Sequence, residues 1–373
     1  MARLRSRNKA PSLPGIESRI IREQIGHCED VSEYNDLVQR YAQHYVSWSH
    51  HICQLMACYG VDEADLARGV GVAYNTIANF KKKIPTKREN VIKVAMYMGL
   101  SVEETDELLT RWAKYSRLYA KNPEDAIWIY LLNKGGSQVP ELMFRAYWNV
   151  YEQELAKYHA GDLGEKAAAC STQFIHREIG RYAAESCTQE AERDLTYREM
   201  VRKHIPEYAN AHKKLMAYLE RQMNLMFGTD GSANELFRNN AYFHAQYYDR
   251  MKELRREHKL PSRTFLIALA LHMNLEADEI DQLLELAGMA PLCAKDRVDS
   301  AIVFYLEEQY CQCPSRFFNI NKLRDDSDYY DLHDDSDGDH EERISAYIKR
   351  QMQELDISDP DEKRQVKKLL KML

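Results

Sequence analysis

His176, Glu178 and His204 are the side chains best suited to acid–base chemistry in this sequence. Histidine and glutamate are common general acids and bases. Catalysis of a familiar kind also needs a nucleophile beside a base, a glycine-rich phosphate loop or a pair of zinc-binding histidines. The sequence contains none of these as a recognisable motif. We therefore interpret the three residues as ordinary helix residues and predict that the protein is not an enzyme.

The C-terminal part of the chain carries groups that could bind metal ions. An EF-hand loop with Gly338 at its sixth position would place His333 first and Ile344 twelfth, where carboxylates are required. Cys311 and Cys313 have no second paired set of ligands nearby in the sequence. The sequence therefore predicts no metal site and no cofactor.

The charge distribution limits how the chain could meet a polyanion. The net charge is -7 at pH 7. This argues against a protein that coats nucleic acid with its whole surface, because phosphate binding needs positive charge. Basic residues are instead clustered in two runs: Arg3, Arg5, Arg7 and Lys9, then Lys81, Lys82, Lys83, Lys87 and Arg88. Any contact with nucleic acid is predicted to be local.

The eight cysteines are scattered through helical patterns rather than set in a disulfide framework, which indicates reduced thiols. The basic, proline-rich start is not followed by the apolar run of ~7–15 residues that a secretory signal contains. No stretch approaches the ~20 apolar residues of a membrane span. The sequence predicts a cytoplasmic protein with no membrane partner.

Apolar residues recur at spacings of three and four along most of the chain, and alternating runs are nearly absent, which predicts an all-α protein. Breaks in this pattern divide it into predicted segments. They are a basic flexible arm at 1–15, a first helical domain at 16–133, a central helical bundle at 140–227, a second helical module at 234–310, an acidic linker at 325–342 and a C-terminal helix at 343–373.

An internal repeat relates residues 85–132 to residues 260–306. Identical or similar residues coincide in one register, with a one-residue slip near the end. The pairs are Arg88 with Arg263, Ala95 with Ala270, Met98 with Met273, Leu100 with Leu275, Glu104 with Glu279, Leu108 with Leu283, Leu109 with Leu284, Lys121 with Lys295, Asp125 with Asp299, and Tyr130 with Phe304. The chain is predicted to hold two copies of one helical module.

Residues 61–84 have the pattern of two tightly packed helices joined by a sharp turn. Ala67 is small enough to lie where the helices cross, and Gly71, four residues later, permits the positive φ of the turn. The apolar face that would hold the second helix to a core is supplied by Leu66, Val70, Val72, Ile77 and Phe80.

On these residues the segment resembles the helix-turn-helix of the lambda-repressor-like family. The longer pattern over residues 48–132 is similar to helix-turn-helix proteins of anaerobic Gram-positive bacteria, and 234–310 resembles a degenerate second copy. The resemblance implies a bacterial regulator of transcription that binds double-stranded DNA by inserting residues 73–82 into the major groove.

The resemblance also implies roles for particular side chains. The predicted base contacts are Tyr74, Asn75, Thr76 and Asn79, since asparagine can bond adenine bidentately and a threonine methyl can touch that of thymine. The predicted phosphate contacts are Lys81, Lys82, Lys83, Lys87 and Arg88, with Arg3, Arg5 and Arg7 following a minor groove. No arginine projects from this helix toward guanine, so the DNA site is expected to be rich in A and T.

Several alternatives stay open at this point. The motif could be a helical hairpin whose glycine and alanine serve packing alone. The fold could be retained in a protein-interaction scaffold without DNA binding, because Asp62, Glu63 and Asp65 lie near the expected DNA side. A nucleic-acid-processing enzyme is a third alternative.

The roles of the later segments also stay open. The second copy could contact DNA or form a homodimer. Its candidate DNA contacts are Asn239, Asn240, Tyr242, His244, Arg250, Arg255, Arg256 and Lys259. The aromatic-rich central bundle could bind an effector or a protein partner.

Overall fold

The computed structural model describes residues 18–42, 47–135, 140–159, 171–185, 190–208, 211–227, 245–257, 259–310, 344–355, 357 and 360–373. Within these ranges every regular element is a helix, which confirms the predicted all-α class. None of the helices described is long and apolar enough to cross a membrane. The predicted basic arm at 1–15 and the predicted acidic linker at 325–342 lie outside the described residues.

The helices follow one another along the chain in a single series. They are α1 (Ser18–Ile25), α2 (Val31–Arg40), α3 (Trp48–Tyr59), α4 (Glu63–Val70), α5 (Tyr74–Phe80), α6 (Arg88–Met98), α7 (Val102–Glu107), α8 (Pro123–Lys134), α9 (Pro140–His159), α10 (Thr172–Glu185), α11 (Glu190–Tyr208), α12 (Lys213–Phe227), α13 (Ala245–Glu257), α14 (Arg263–His272), α15 (Ala277–Leu286), α16 (Arg297–Phe304), α17 (Ile344–Glu354) and α18 (Pro360–Leu370). π-Helical turns follow α7 at Leu108–Trp112 and α16 at Tyr305–Tyr310.

These helices belong to two compact units. Unit 1 contains the described residues from 47 to 213, and unit 2 contains residues 18–42 together with those after 213. This division differs from the predicted one, in which residues 16–133 formed the first domain. The two earliest helices, α1 and α2, belong instead to the core of unit 2.

The segment α6–α7–α8 in unit 1 and the segment α14–α15–α16 in unit 2 make the same contacts at the residues that the repeat pairs. In unit 1, Arg88 at the start of α6 donates to Asp125 in α8 at 2.6 Å. In unit 2, Arg263 at the start of α14 donates to Asp299 in α16 at 2.9 Å. Each arginine thus joins the first and third helices of its segment.

A second set of equivalent contacts fixes the connection into the third helix. The Asp106 carboxylate accepts a hydrogen bond from the Leu118 amide at 2.6 Å, and Asp281 accepts one from the Leu292 amide at 2.6 Å. A capping box also begins the middle helix of both segments, in which a side chain and a backbone N–H satisfy each other reciprocally. The two segments therefore share their local architecture.

In unit 1 the helices α9, α10 and α11 pack around α8. Tyr130 of α8 meets Tyr147 of α9 and Tyr197 of α11 in an aromatic cluster, with ring centroids 4.5 to 5.3 Å apart. Such edge-on aromatic pairs add to the hydrophobic gain from burial. The predicted central bundle at 140–227 is therefore divided, because α9–α11 extend unit 1 whereas α12 joins the core of unit 2.

In unit 2 the helices α1 and α2 close one side of the repeat segment. Arg22 donates to Asp281 at 2.6 Å and pairs with Glu307 at 3.3 Å. Tyr34 stacks on Phe304 with ring centroids 4.5 Å apart, and both side chains are buried. These contacts join residues that are far apart in the chain.

The C-terminal region also packs on unit 2. The prediction of one helix over 343–373 is wrong, because α17 ends at Glu354 and α18 begins at Pro360. Proline is tolerated in the first turn of a helix but not in its interior, so residue 360 favours a new start. Ile348 of α17 and Leu369 of α18 are buried in the core of unit 2.

Candidate nucleic-acid interface

Two short helices of unit 1, α4 and α5, are joined by a tight turn. The Asp62 carboxylate caps α4 by accepting a hydrogen bond from the Asp65 amide at 2.7 Å. The helix ends at Val70, and Gly71 follows with φ of 76°. The left-handed backbone conformation costs a non-glycine residue roughly 1–2 kcal/mol, which explains why a glycine lies at this turn. The turn lies where the sequence predicted it.

The inner faces of this helix pair are buried as the apolar pattern predicts, except that Val72 is only half-buried. Ala67, Val70, Ile77 and Phe80 are each at most 6 % exposed. The start of α3 also fastens the end of α5, because the Trp48 indole N–H donates to the Phe80 carbonyl at 2.6 Å. The Ser49 hydroxyl donates to the next carbonyl along the chain. α5 is thus held at a fixed rotation about its own axis.

Gly69 is a packing residue that the sequence pattern did not reveal. A Cβ atom at this position would overlap the ring of Tyr97 in α6, far inside van der Waals contact. The absence of a side chain therefore lets α4 and α6 approach closely. No periodic signal identifies such a glycine, because its neighbour lies in a separate helix.

The fixed rotation of α5 determines where the predicted base contacts lie. Tyr74, Asn75 and Asn79 are exposed and Thr76 is half-buried, on the side of the helix away from Ile77 and Phe80. The four residues thus form one polar surface along a single helix, which we call the α5 face (Tyr74, Asn75, Thr76 and Asn79).

The predicted phosphate contacts fall into two groups. Lys82, Lys83 and Lys87 are exposed beyond the end of α5. Lys81 is half-buried, and its ammonium donates to the Glu63 carboxylate at 2.7 Å. The chain thus presents cations beside the α5 face, and one of them already has an acidic partner.

Arg88 is placed differently from the other basic residues. Its guanidinium bonds both oxygens of Asp125, at 2.6 and 3.0 Å, and also the carbonyls of Ser116 and Arg117. Nearly all of its donors are therefore used inside unit 1. We assign Arg88 to the repeat contact and leave it out of the candidate interface, because a guanidinium so engaged has little left for a phosphate.

Glu63 connects the start of α4 to the end of α5. The hydrogen bond from the Lys81 ammonium lowers the pKa of its carboxyl. Tyr74, Glu63 and Lys81 line a groove of about 550 Å³ together with Met56 and Val61. The sequence placed Glu63 near the expected DNA side but gave no sign of its pairing with Lys81.

The candidate contacts of the second module are only partly described. Asn239, Asn240, Tyr242 and His244 lie outside the described residues. Arg250 and Lys259 pair with Glu253, and Arg255 lies 3.8 Å from Glu220, with all three basic side chains exposed. Arg256 is exposed as well. No helix pair like α4–α5 precedes α14 within the described residues.

The candidate catalytic residues lie among the helices packed on α8. His204 is buried, and its Nε2 lies 3.2 Å from the Glu178 carboxylate, which also accepts from Lys203 at 2.7 Å. Burial lowers the pKa of both His204 and His176. Among the residues described, no group of three acidic, histidine or cysteine side chains is placed to hold a metal ion.

Comparisons of this chain with protein-family models, with curated proteins and with solved structures give no match.

Proposed function

We propose that this protein binds double-stranded DNA in a sequence-dependent manner through the α5 face and acts as a transcriptional regulator of the lambda-repressor-like helix-turn-helix kind. One observation carries the proposal. The rotation that buries Ile77 and Phe80 leaves Asn75 and Asn79 exposed on one short helix, with Lys82 close behind.

The chemistry of that face suits the major groove. An α-helix fits the groove, and Asn75 and Asn79 carry the paired donor and acceptor that match adenine. The exposed lysines beyond the helix can contact DNA phosphates beside the groove. Such contacts fix the position of a protein on the duplex but do not read the base sequence. Since no arginine belongs to the α5 face, we expect a site that is rich in A and T.

The rest of the proposal concerns the setting in which this face works. We expect a cytoplasmic protein of bacterial origin that forms a homodimer through the second module or the central helices. A dimer of this kind would reach two half-sites about one helical turn, ~34 Å, apart. The central helices α9–α11 would then be available to bind an effector or a protein partner.

A second candidate function is a protein-interaction scaffold that keeps the helix pair without DNA binding. The observation in its favour is the acidic start of α4, where Asp62 is exposed and Asp65 half-buried beside Glu63. Carboxylates near a phosphate backbone cost affinity. A basic partner protein would meet this surface more favourably than DNA would.

Selection of bound fragments from the genome of the native host tests the two candidates. The first predicts enrichment of a shared short motif, whereas the second predicts none.

Replacing Asn75 and Asn79 together by alanine should then weaken binding to the selected site. Removing each bidentate pair of hydrogen bonds should cost about 1–3 kcal/mol, while binding to random DNA stays nearly unchanged. The matched control is Lys82→Gln with Lys83→Gln, which should weaken both kinds of binding and reduce the salt dependence by a slope of roughly 0.9 for each phosphate that is no longer neutralised. Equal weakening on selected and random DNA for the asparagine variant would remove these residues as base contacts.

A further inference from the structure

Glu63 pairs with one of the side chains predicted to contact phosphates. Its carboxylate lies 2.7 Å from the Lys81 ammonium. Lys81 directly follows the last residue of α5, so the carboxylate lies at the end of the helix that carries the predicted base contacts. Glu63 itself begins α4, and its side chain is 24 % exposed.

We infer that Glu63 is a positioning residue of the proposed DNA interface, which pairs with Lys81 and withholds its charge from phosphates. The inference rests on the proposed function and deepens it. It assigns to an acidic residue, which by charge alone would oppose DNA binding, a defined effect on how tightly DNA is bound.

The charge effect follows from the pairing. An ammonium that already faces a carboxylate gains less from a DNA phosphate than a free ammonium does, because its charge is largely compensated. An ion pair at a partly exposed site is also weak enough to be exchanged. Glu63 therefore reduces the sequence-independent part of the affinity, which comes from phosphates.

The neighbouring carboxylates do not share this role. Asp62 caps the backbone of α4 through the Asp65 amide. Asp65 lies 3.4 Å from Arg68 on the same helix, and its side chain is 47 % exposed. Replacing Asp65 by asparagine removes the same unit of charge from the same helical turn as Glu63→Gln, which makes it a matched control.

The experiment compares the full-length wild-type chain with Glu63→Gln, Glu63→Ala and Asp65→Asn. Affinity for the selected site and for random DNA is measured over a range of salt concentrations. Glu63→Gln should raise both affinities by about fivefold to tenfold at 0.1 M salt and steepen the salt dependence by a slope of about 0.9, which corresponds to one further phosphate neutralised. Asp65→Asn should leave the slope unchanged.

The alanine variant removes the same carboxylate by a second route. It also frees Lys81, so it should change the slope as Glu63→Gln does. An independent readout without DNA is the titration of the Lys81 ammonium: Glu63 raises its pKa, which should fall in both Glu63 variants and not in Asp65→Asn.

The possible outcomes separate this role from DNA binding itself. Equal slopes for Glu63→Gln and the wild type, or equal slope changes for Glu63→Gln and Asp65→Asn, would overturn the role of Glu63 while DNA binding itself stands. A wild-type chain that binds no DNA at any salt concentration would remove the proposed function and this inference with it.

Discussion

His51 shows how a single buried side chain makes unit 1 sensitive to acid. Its ring stacks on that of Trp112, with centroids 3.7 Å apart and an angle of 2° between the planes. The residue is only 4 % exposed. Burial, and to a lesser degree the neighbouring His50, lowers the pKa of His51 to about 4.

The stability of unit 1 should therefore fall as the pH decreases below about 6.5, the ordinary pKa of histidine. Between that value and about 4 the unfolded chain binds a proton that the folded chain does not. The contribution of His51 to the free energy of unfolding should drop by roughly 2 kcal/mol between pH 7.5 and pH 5. His51→Phe, which keeps an aromatic ring against Trp112, should abolish this drop.

The measurement is urea unfolding followed by tryptophan fluorescence at the two pH values. All four tryptophans of the chain, Trp48, Trp112, Trp128 and Trp148, lie in unit 1, so the signal reports on that unit alone. Asp106, whose pKa burial raises to about 6, acts in the opposite direction and is common to both proteins. Parallel pH dependence of wild type and variant would show that His51 titrates normally.

At the scale of residues, the sequence predicts features that depend on the residues of a single helix. It misses contacts between side chains of two different helices. The turn at Gly71 and the exposure of Asn75 and Asn79 follow from the spacing of apolar residues within α4 and α5. The pairing of Glu63 with Lys81, and of Arg88 with Asp125, does not. A sequence orders charges along the chain, but which charges face each other depends on how one helix is rotated against another.

The contact of α4 with α6 depends on Gly69, which leaves room for the ring of Tyr97. Gly69→Ala should destabilise unit 1 by about 1–3 kcal/mol, because the added methyl group overpacks the helix crossing. In a chain that also carries Tyr97→Ala, the same change should be stabilising by about 0.5–1 kcal/mol, since alanine is the better helix former.

Tryptophan fluorescence during urea unfolding gives the four free energies of this double-mutant cycle. A coupling energy near zero between the two positions would mean that the Tyr97 ring moves aside freely and that Gly69 is not a packing requirement.

At the scale of elements, the internal repeat is where sequence and structure correspond most closely. The register that pairs Arg88 with Arg263 and Asp125 with Asp299 places both pairs in the same contact of their own units. The helices that cover each segment differ: α9 and α10 pack on α8 with α11 against both of them, whereas α1, α17 and α18 pack on the segment of unit 2. Repeated sequence reveals a common segment, but it carries no information about helices that have no copy.

At the scale of the whole molecule, unit 2 is built from two separate parts of the chain. Residues from α1 and α2, among them Ile21, Ile25 and Tyr34, are buried in the same core as residues from α14 and α16. This division was not predictable from composition or breaks in periodicity, because both describe neighbours in sequence. The contacts that define unit 2 join parts of the chain separated by the whole of unit 1.

Cutting the chain at the unit boundaries should therefore give unequal fragments. Residues 47–213 should fold alone, with a cooperative unfolding transition. Residues 214–373 should not, because without α1 and α2 the fragment exposes a large apolar surface and leaves Asp281 and Glu307 without Arg22. Circular dichroism and limited proteolysis distinguish a folded fragment from an unfolded one.

The matched control is a fragment in which a flexible linker joins residues 13–46 to residues 214–373. This fragment should fold as unit 2 does. A fragment of residues 214–373 that unfolds as cooperatively as this control would contradict the assignment of α1 and α2 to its core.

The two-part construction of unit 2 also sets an order of events during synthesis on the ribosome. Domains generally fold as they emerge, at about 5–20 residues per second. α1 and α2 emerge before unit 1, but the repeat segment that covers them follows only after about 220 further residues, or roughly 10–45 s later. During that interval unit 1 can fold completely, while the residues that will surround Ile21 and Ile25 have yet to be synthesised. α1 and α2 are thus synthesised before unit 1 but reach their native surroundings after it.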